Sequence, residues 1–253
     1  MNPHTPIELV VLDMAGTTVR DDGIVEQAFQ RAAERTGVAA RIGWDDALQY
    51  VRDTMGQSKI DVFTHLADGD VQAAERATAQ FEAAYAEIVA EQGATEIPGA
   101  ADTIRALRAA GVQVWLTTGF APVTRDALLD ALGWHDLVDG VLSPVDAGRG
   151  RPAPDLVLTA LLRAGASSVQ AVAVAGDTVS DVRSGRRAGA GFVAGVLTGA
   201  HDAAALEGVE PDAVLSDVTA LPAALAERGL IRALAPDPAG RASAPVLAPI
   251  AAG

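Results

Sequence analysis

The sequence predicts an α/β fold, a doubly wound parallel sheet core carrying a small inserted α-helical cap. Three observations lead there. Short runs rich in Val, Leu and Ala alternate with helical patterns from about residue 97 onward. A stretch from about 24 to 92 has helical patterning only, and it interrupts the alternation directly after the first apolar run. Four polar segments follow apolar runs, and an open α/β sheet binds ligands beyond the carboxyl ends of its strands. The 253 residues suffice for one such core with an inserted module.

The first element, residues 8–13, is a brief run ending in Asp13, which reads as a buried strand. A helical pattern opens at Val25 and ends near Gly37. Residues 44–55, 58–66 and 71–91 read as three more helices. The cap is therefore expected at 22–94 and the core at 1–21 and 95–230. Alternation resumes at Ile97-Pro98-Gly99. A helix over 100–110 ends with Gly111 as its C-cap. A strand over 112–116, a helix and a strand over 138–142 follow. Then come a helix over 154–164, a strand over 171–175, a helix over 179–188, a strand over 191–197 and a last short strand over 213–215. Residues 231–253 are rich in Ala and Pro without a period, the pattern of a disordered tail.

Composition excludes several function classes. A net charge of −14 disfavours nucleic acid and anionic lipid, which need basic surface. With no cysteine there are no disulfides, thiol nucleophiles or zinc thiolates, which fits a cytoplasmic protein. Residues 1–6 lack the features of a signal peptide. No apolar segment approaches the ~20 residues of a transmembrane helix. Neither a nucleic-acid partner nor a membrane is expected.

The polar segments carry the chemistry. They are Asp13-Met14-Ala15-Gly16-Thr17-Thr18, Thr117-Thr118-Gly119, Gly148-Arg149-Gly150-Arg151-Pro152 and Gly176-Asp177-Thr178-Val179-Ser180-Asp181. Singly, a strand-end Asp is often a helix N-cap and Thr-Thr-Gly a turn. Together they converge on one sheet edge. Asp177 and Asp181, spaced i, i+4 at a helix start, are expected on one face. With Asp13 they present three carboxylates, which repel unless a cation holds them, and hard oxygen ligands suggest Mg²⁺. Thr118 Oγ, the backbone N–H groups after Asp13 and Thr118, and Arg151 would bind phosphoryl oxygens. Asp13 is left to attack phosphorus and form an aspartyl-phosphate.

The order of these motifs resembles the haloacid dehalogenase superfamily, whose core is a Rossmann-like sheet and whose small cap follows the first strand. The likeness covers roughly residues 7–228. Most phosphatases of that superfamily have Asp-x-Asp in the first motif, and this chain has Asp13-Met14-Ala15. Most have a lysine before the last motif, and here it is Arg151. Both features are similar to the phosphonoacetaldehyde hydrolase, or phosphonatase, branch. The resemblance implies that Asp13, the Ala15 main-chain carbonyl, Asp177 and Asp181 hold the metal, Asp181 as ligand or as orienter. It implies that Gly16, Thr17, Thr118, Gly119 and Arg151 hold the phosphoryl group. A homodimer formed through the cap is implied as well.

Met55-Gly56-Gln57-Ser58-Lys59 resembles the phosphonatase string that carries the Schiff-base lysine, at Lys59. The chemistry ties Lys59 to Ala15. A phosphate ester leaves as an alkoxide and benefits from an acid at position 15. A carbon–phosphorus bond leaves as a carbanion and needs an electron sink, which a protonated imine on Lys59 supplies. Lys59 must then be neutral to react, whereas a free lysine titrates near ~10.4. Burial would lower that value, and Asp61 with the metal-site carboxylates would oppose the drop. The chain departs from the phosphonatase pattern at Val62, Phe120 and Gly23, where that branch has His, Tyr and Cys.

The expected function is a Mg²⁺-dependent hydrolase of phosphonoacetaldehyde or a related phosphonate. The alternative is a phosphatase acting on a small phosphate monoester without Schiff-base chemistry. A haloalkanoate dehalogenase would not need the Asp177–Asp181 pair, and a non-catalytic phospho-ligand sensor would not need the nucleophile. His65, His135 and His201 fall off the motif positions, with surface or helix-end roles expected for the latter two. The three Trp residues read as packing. Arg186 and Arg187 read as a solvated face favoured at a helix C-terminus.

Overall fold

Leu9–Asp13 (β1) is buried along its whole length, as expected for an unbroken apolar run in a sheet covered on both faces. In the computed structural model, which describes residues 5–231, β1 lies inside a six-stranded parallel sheet. The others are Gln113–Thr117 (β2), Gly140–Leu142 (β3), Val172–Gly176 (β4), Phe192–Val196 (β5) and Ala213–Leu215 (β6). The order is β3-β2-β1-β4-β5-β6. The chain runs outward from β1 to β3, then returns to β4 on the other side of β1. The reversal between β1 and β4 leaves a crevice at their carboxyl ends.

Ile24–Thr36 (α1), Trp44–Asp53 (α2), Lys59–Leu66 (α3) and Val71–Gln92 (α4) follow β1 without an intervening strand and form the cap. Phe29 of α1, Phe63 of α3 and Phe81 of α4 share its centre, with the Phe29 ring 4.9 Å from Phe63 and 4.7 Å from Phe81. The two connections to the core pair with each other. Arg20 N–H donates to Thr95 O and Ile97 N–H to Thr18 O, both at 2.9 Å. The remaining helices clothe the sheet: Ala100–Ala109 (α5), Pro122–Leu132 (α6), Pro144–Ala147 (α7), Asp155–Ala164 (α8), Val179–Ala188 (α9), Ala203–Glu207 (α10) and Leu221–Glu227 (α11).

Some boundaries differ from expectation, each with a local cause. The second cap helix stops at Asp53, because Thr54 turns its hydroxyl back onto Tyr50 O at 2.6 Å. Ala110, not Gly111, caps α5, and Gly111 takes the left-handed conformation one residue later. The third strand begins at Gly140 instead of 138. The missing Cβ there admits the Trp115 indole, which a side chain at 140 would meet at 2.6 Å. The short helices α7, α10 and α11 carry too few turns for a visible period. Arg186 and Arg187 are less free than a solvated face implies: Arg186 pairs with Asp212 at 3.0 Å, and Arg187 donates to Pro152 O at 2.9 Å. Residues 232–253, nearly all of the expected tail, lie outside the described residues. Among the described residues no helix is long and apolar enough to cross a membrane.

Candidate active site

The cleft between cap and sheet is lined from below by Asp13, Ala15, Arg151 and Asp177, from the side by Thr118 and Phe120, and from above by Met55, Gly56 and Lys59. Asp13 is the last residue of β1, and Asp177 directly follows β4. Asp177 precedes α9 and is not part of it, which corrects the shared-helix-face expectation. The loop after β4 places Asp177 and the first turn of α9 places Asp181, so the two meet beside Asp13 without sharing a helix face. Each of the three offers an oxygen within 4.8 Å of the others.

Each carboxylate is held in place. Thr17 Oγ1 donates to Asp177 Oδ1 at 3.1 Å, and Ala200 N–H donates to Oδ2 at 2.8 Å. Asp181 forms a capping box with Thr178 at the start of α9, accepting from the Thr178 N–H at 3.0 Å through Oδ2. Its other oxygen lies 2.9 Å from Arg151 Nη1. Both of its carboxylate oxygens are therefore engaged within the protein. Gly16 sits in the turn after β1 at φ +86°, and its N–H closes that turn on Val19 O. A Cβ at Gly16 would also come within 2.5 Å of Asp177, so the position admits only glycine. In this arrangement Gly16 and Thr17 serve the turn and Asp177.

Arg151 reaches the cleft floor and is buried. Its Nη1 lies 2.5 Å from Asp13 and its Nη2 donates to Thr117 Oγ1 at 2.8 Å. Burial opposes its charge, but Asp13, Asp181 and Asp177 overcome that and hold it protonated. Asp13 is pushed well above the usual carboxylate range, first by burial and then by Asp181 and Asp177, with Arg151 pulling the other way. Burial and the Asp181 charge push Asp177 up to about 7. Buried carboxylates in excess of the one arginine are the oxygen donor set that a hard divalent cation neutralises. Thr118 uses its N–H on Leu142 O and its Oγ1 on the Phe120 N–H. At Gly119 the cap rests directly on the core, for a Cβ there would lie 2.7 Å from Gln57 O.

Lys59 is the first residue of α3 and only 6% exposed. Its Nζ lies 5.3 Å from the ring centroid of Phe29, 5.4 Å from Phe81 and 5.2 Å from Phe120. Among the described residues no carboxylate pairs with it at salt-bridge distance. Burial pushes the amine down to about 8, and this outweighs Glu82, Asp21 and Asp13, which act to raise it. Asp61, which the sequence suggests as an opponent of the drop, is not among those groups. The N-terminal end of a helix also disfavours a cation.

Several contributors fall outside the residues expected from the sequence, most of them without a sequence signal. Thr117, the β2 residue that steadies Arg151, stands one place before the expected Thr118. Asp21 lines the cleft from the linker, and burial pushes it up. Glu82 looks like any polar position of a long helix. Thr198, which donates to Gly16 O at 2.6 Å, follows a strand as a Thr-Gly pair and was open to the same reading as Thr118-Gly119. His201 sits at a helix end as expected, accepting from the Val179 N–H at 2.9 Å. His65 stacks on Tyr50 at 3.9 Å, and His135 bonds Asp130 at the surface.

A model of the haloacid dehalogenase-like hydrolases matches residues 7–189, a span that contains Asp13, Lys59, Arg151, Asp177 and Asp181. The chain belongs to that family. It is 30% identical to the phosphonoacetaldehyde hydrolase of Pseudomonas fluorescens, over 89% of this chain and 94% of that protein. Among solved structures, a haloacid dehalogenase family hydrolase from Deinococcus radiodurans with bound phosphate and sodium is 30% identical. It covers 90% of this chain and 99% of its own, with a TM-score of 0.63. A phosphonoacetaldehyde hydrolase like protein from Oleispira antarctica superposes with a TM-score of 0.75 at 22% identity, covering 90% and 95% of the two chains, and supports the fold. As a haloacid dehalogenase-like hydrolase, the chain has its family's fold, and the sequence resemblance to the phosphonatase branch agrees with its named relatives.

Proposed function

We propose that this hydrolase cleaves the carbon–phosphorus bond of phosphonoacetaldehyde or a close relative, through an aspartyl-phosphate on Asp13 and an imine on Lys59. The observation that carries this reading is an amine at about 8, enclosed by three aromatic rings and opening on the cleft that holds Asp13, with Ala15 in place of an acid. The neutral amine condenses with the substrate aldehyde and releases water. Asp13 then attacks phosphorus, the carbon–phosphorus bond breaks, and its electron pair passes into the protonated imine to give an enamine. Protonation of the enamine and hydrolysis of the imine release acetaldehyde. Water cleaves the aspartyl-phosphate and releases phosphate. Mg²⁺, held by Asp13, Asp177 and the Ala15 carbonyl with Asp181 as orienter, would neutralise charge on the phosphoryl oxygens. Arg151, Thr118 and the backbone at Gly119 would bind those oxygens, with Gly16 and Thr17 shaping their seat. The named activity of the Pseudomonas fluorescens relative supports this substrate class.

A phosphatase reading has its own support in Asp21. Burial pushes this cleft carboxyl up, the direction that a general acid in place of Ala15 would need. Val62 and Phe120 in place of titratable groups also fit that reading.

The test is turnover of phosphonoacetaldehyde with Mg²⁺, following acetaldehyde and phosphate, with borohydride added to trap an imine. A reduced adduct mapping to Lys59, and loss of turnover in Asp13→Asn, are expected. Full activity of Lys59→Ala on the best substrate would rule out the imine. Fast hydrolysis of phosphate monoesters with none of phosphonates would establish the phosphatase.

A further inference from the structure

Glu82 lies midway along cap helix α4, yet it is only 7% exposed, because the core takes up its carboxylate. Ala121 N–H donates to Oε1 at 3.1 Å, and Thr124 Oγ1 donates to Oε2 in a short hydrogen bond. Ala121 is the N-cap of α6 and Thr124 its third residue, and α6 has no side-chain cap of its own. An anionic cap satisfies orphan donors and meets the positive end of the helix. Here the cap residue comes from the other domain.

The two ends of this clasp adjoin two walls of the Lys59 cage. Phe81 precedes Glu82, and Phe120 precedes Ala121. Phe29 and Phe81 belong to the cap, whereas Phe120 belongs to the core loop after β2. The cage is therefore composite, and it is complete only where cap and core meet.

We propose that Glu82 is a positioning residue for Lys59: its clasp on the start of α6 seats the Phe120 ring against the cap rings and closes the cage around the amine. The proposal needs Lys59 only as an enclosed amine and stands whether or not that amine forms an imine. Without the clasp, Phe120 and α6 are free to part from α4, and water reaches Lys59.

The test uses the full chain with Mg²⁺ present. Lys59 is labelled with a small amine-reactive reagent across pH 6–11, and its peptide is read by mass. Amide exchange is followed over residues 118–125. In the wild type the labelling midpoint is expected near about 8. In Glu82→Ala and in Thr124→Val it is expected to climb toward the ordinary lysine range near ~10.4, with faster exchange at Ala121. Glu82→Gln keeps an acceptor but loses the charge, so its cage stays closed and its midpoint falls. Thr124→Val retains the Glu82 charge and carries the test should Glu82→Ala not fold. A downward shift in Glu82→Ala with none in Thr124→Val would reduce Glu82 to a nearby charge and overturn the proposal. Faster exchange in α6 with an unmoved midpoint would reduce it to a helix cap and overturn it as well.

Discussion

Arg151 Nη1 lies 2.5 Å from Asp13 Oδ1, and both side chains are almost wholly enclosed. The same nitrogen contacts Asp181, so one cation is shared between the expected nucleophile and the carboxylate that caps α9. Breaking such a buried pair from one side strands a charge, at a cost of about 3–5 kcal/mol. Arg151→Ala is expected to lose stability of that order in urea unfolding at pH 7. Its turnover should fall about 10²–10³-fold, the effect of losing one preorganised donor. Arg151→Lys keeps the charge but not the fork that reaches Asp13, Asp181 and Thr117 together, and should recover stability better than rate. Unchanged stability in Arg151→Ala would show that the pair does not hold in solution.

Lys59 predicts a pH-dependent stability of known sign. Its folded value of about 8 lies below its ordinary value of 10.5. Between the two the unfolded chain binds more protons, so stability rises with pH. The penalty of burying the ammonium is fully present below pH 8 and gone above 10.5. Lys59→Met is therefore expected to be more stable than the wild type at pH 7. Its advantage should shrink by about 3 kcal/mol by pH 10.5. Urea unfolding of both proteins at the two pH values checks this, and a constant difference would mean that Lys59 is solvated.

Asp177 slopes the other way. Its folded value of about 7 is above its ordinary 3.8, so the folded chain holds the extra proton. In chelator, this group should make stability fall as pH rises from about 4 through 7. Mg²⁺ competes with that proton, so it should raise Tm more at pH 8 than at pH 6. Asp177→Asn should make that slope shallower, leaving the part that Asp13 contributes, and remove most of the Mg²⁺ effect. A Mg²⁺ shift as large in the variant as in the wild type would take Asp177 out of the metal site.

The strands were legible because a sheet buried on both faces demands unbroken apolar runs, and Leu9–Asp13 and Ala213–Leu215 supply them. The cap helices were legible from their period. Asp177 was misplaced because i, i+4 spacing describes a helix, and the chain becomes helical only at Val179. Glu82 and Asp21 were invisible for a different reason. Their burial comes from the approach of cap to core, and no local pattern in α4 or in the linker encodes that approach. The direction of the Lys59 shift was likewise undecided in the sequence, because it depends on rings from three separate segments.

Ala15 offers the sharpest separation of the two functional readings. It lines the cleft beside Asp13 and Asp177. An aspartate there would join buried like charges and keep its proton near neutral pH, as a general acid must. Ala15→Asp should therefore raise hydrolysis of phosphate monoesters, by up to about 10²–10⁴-fold if leaving-group protonation limits it. It should bring no gain on a phosphonate, because the carbanion draws on an electron sink and not on an acid. Steady-state rates on a monoester panel and on phosphonoacetaldehyde, wild type against variant, decide it. No gain on any monoester, with Mg²⁺ binding intact, would mean that the proton is already supplied. Asp21 is then the residue to replace, and loss of monoester turnover in Asp21→Asn would move the assignment to the phosphatase.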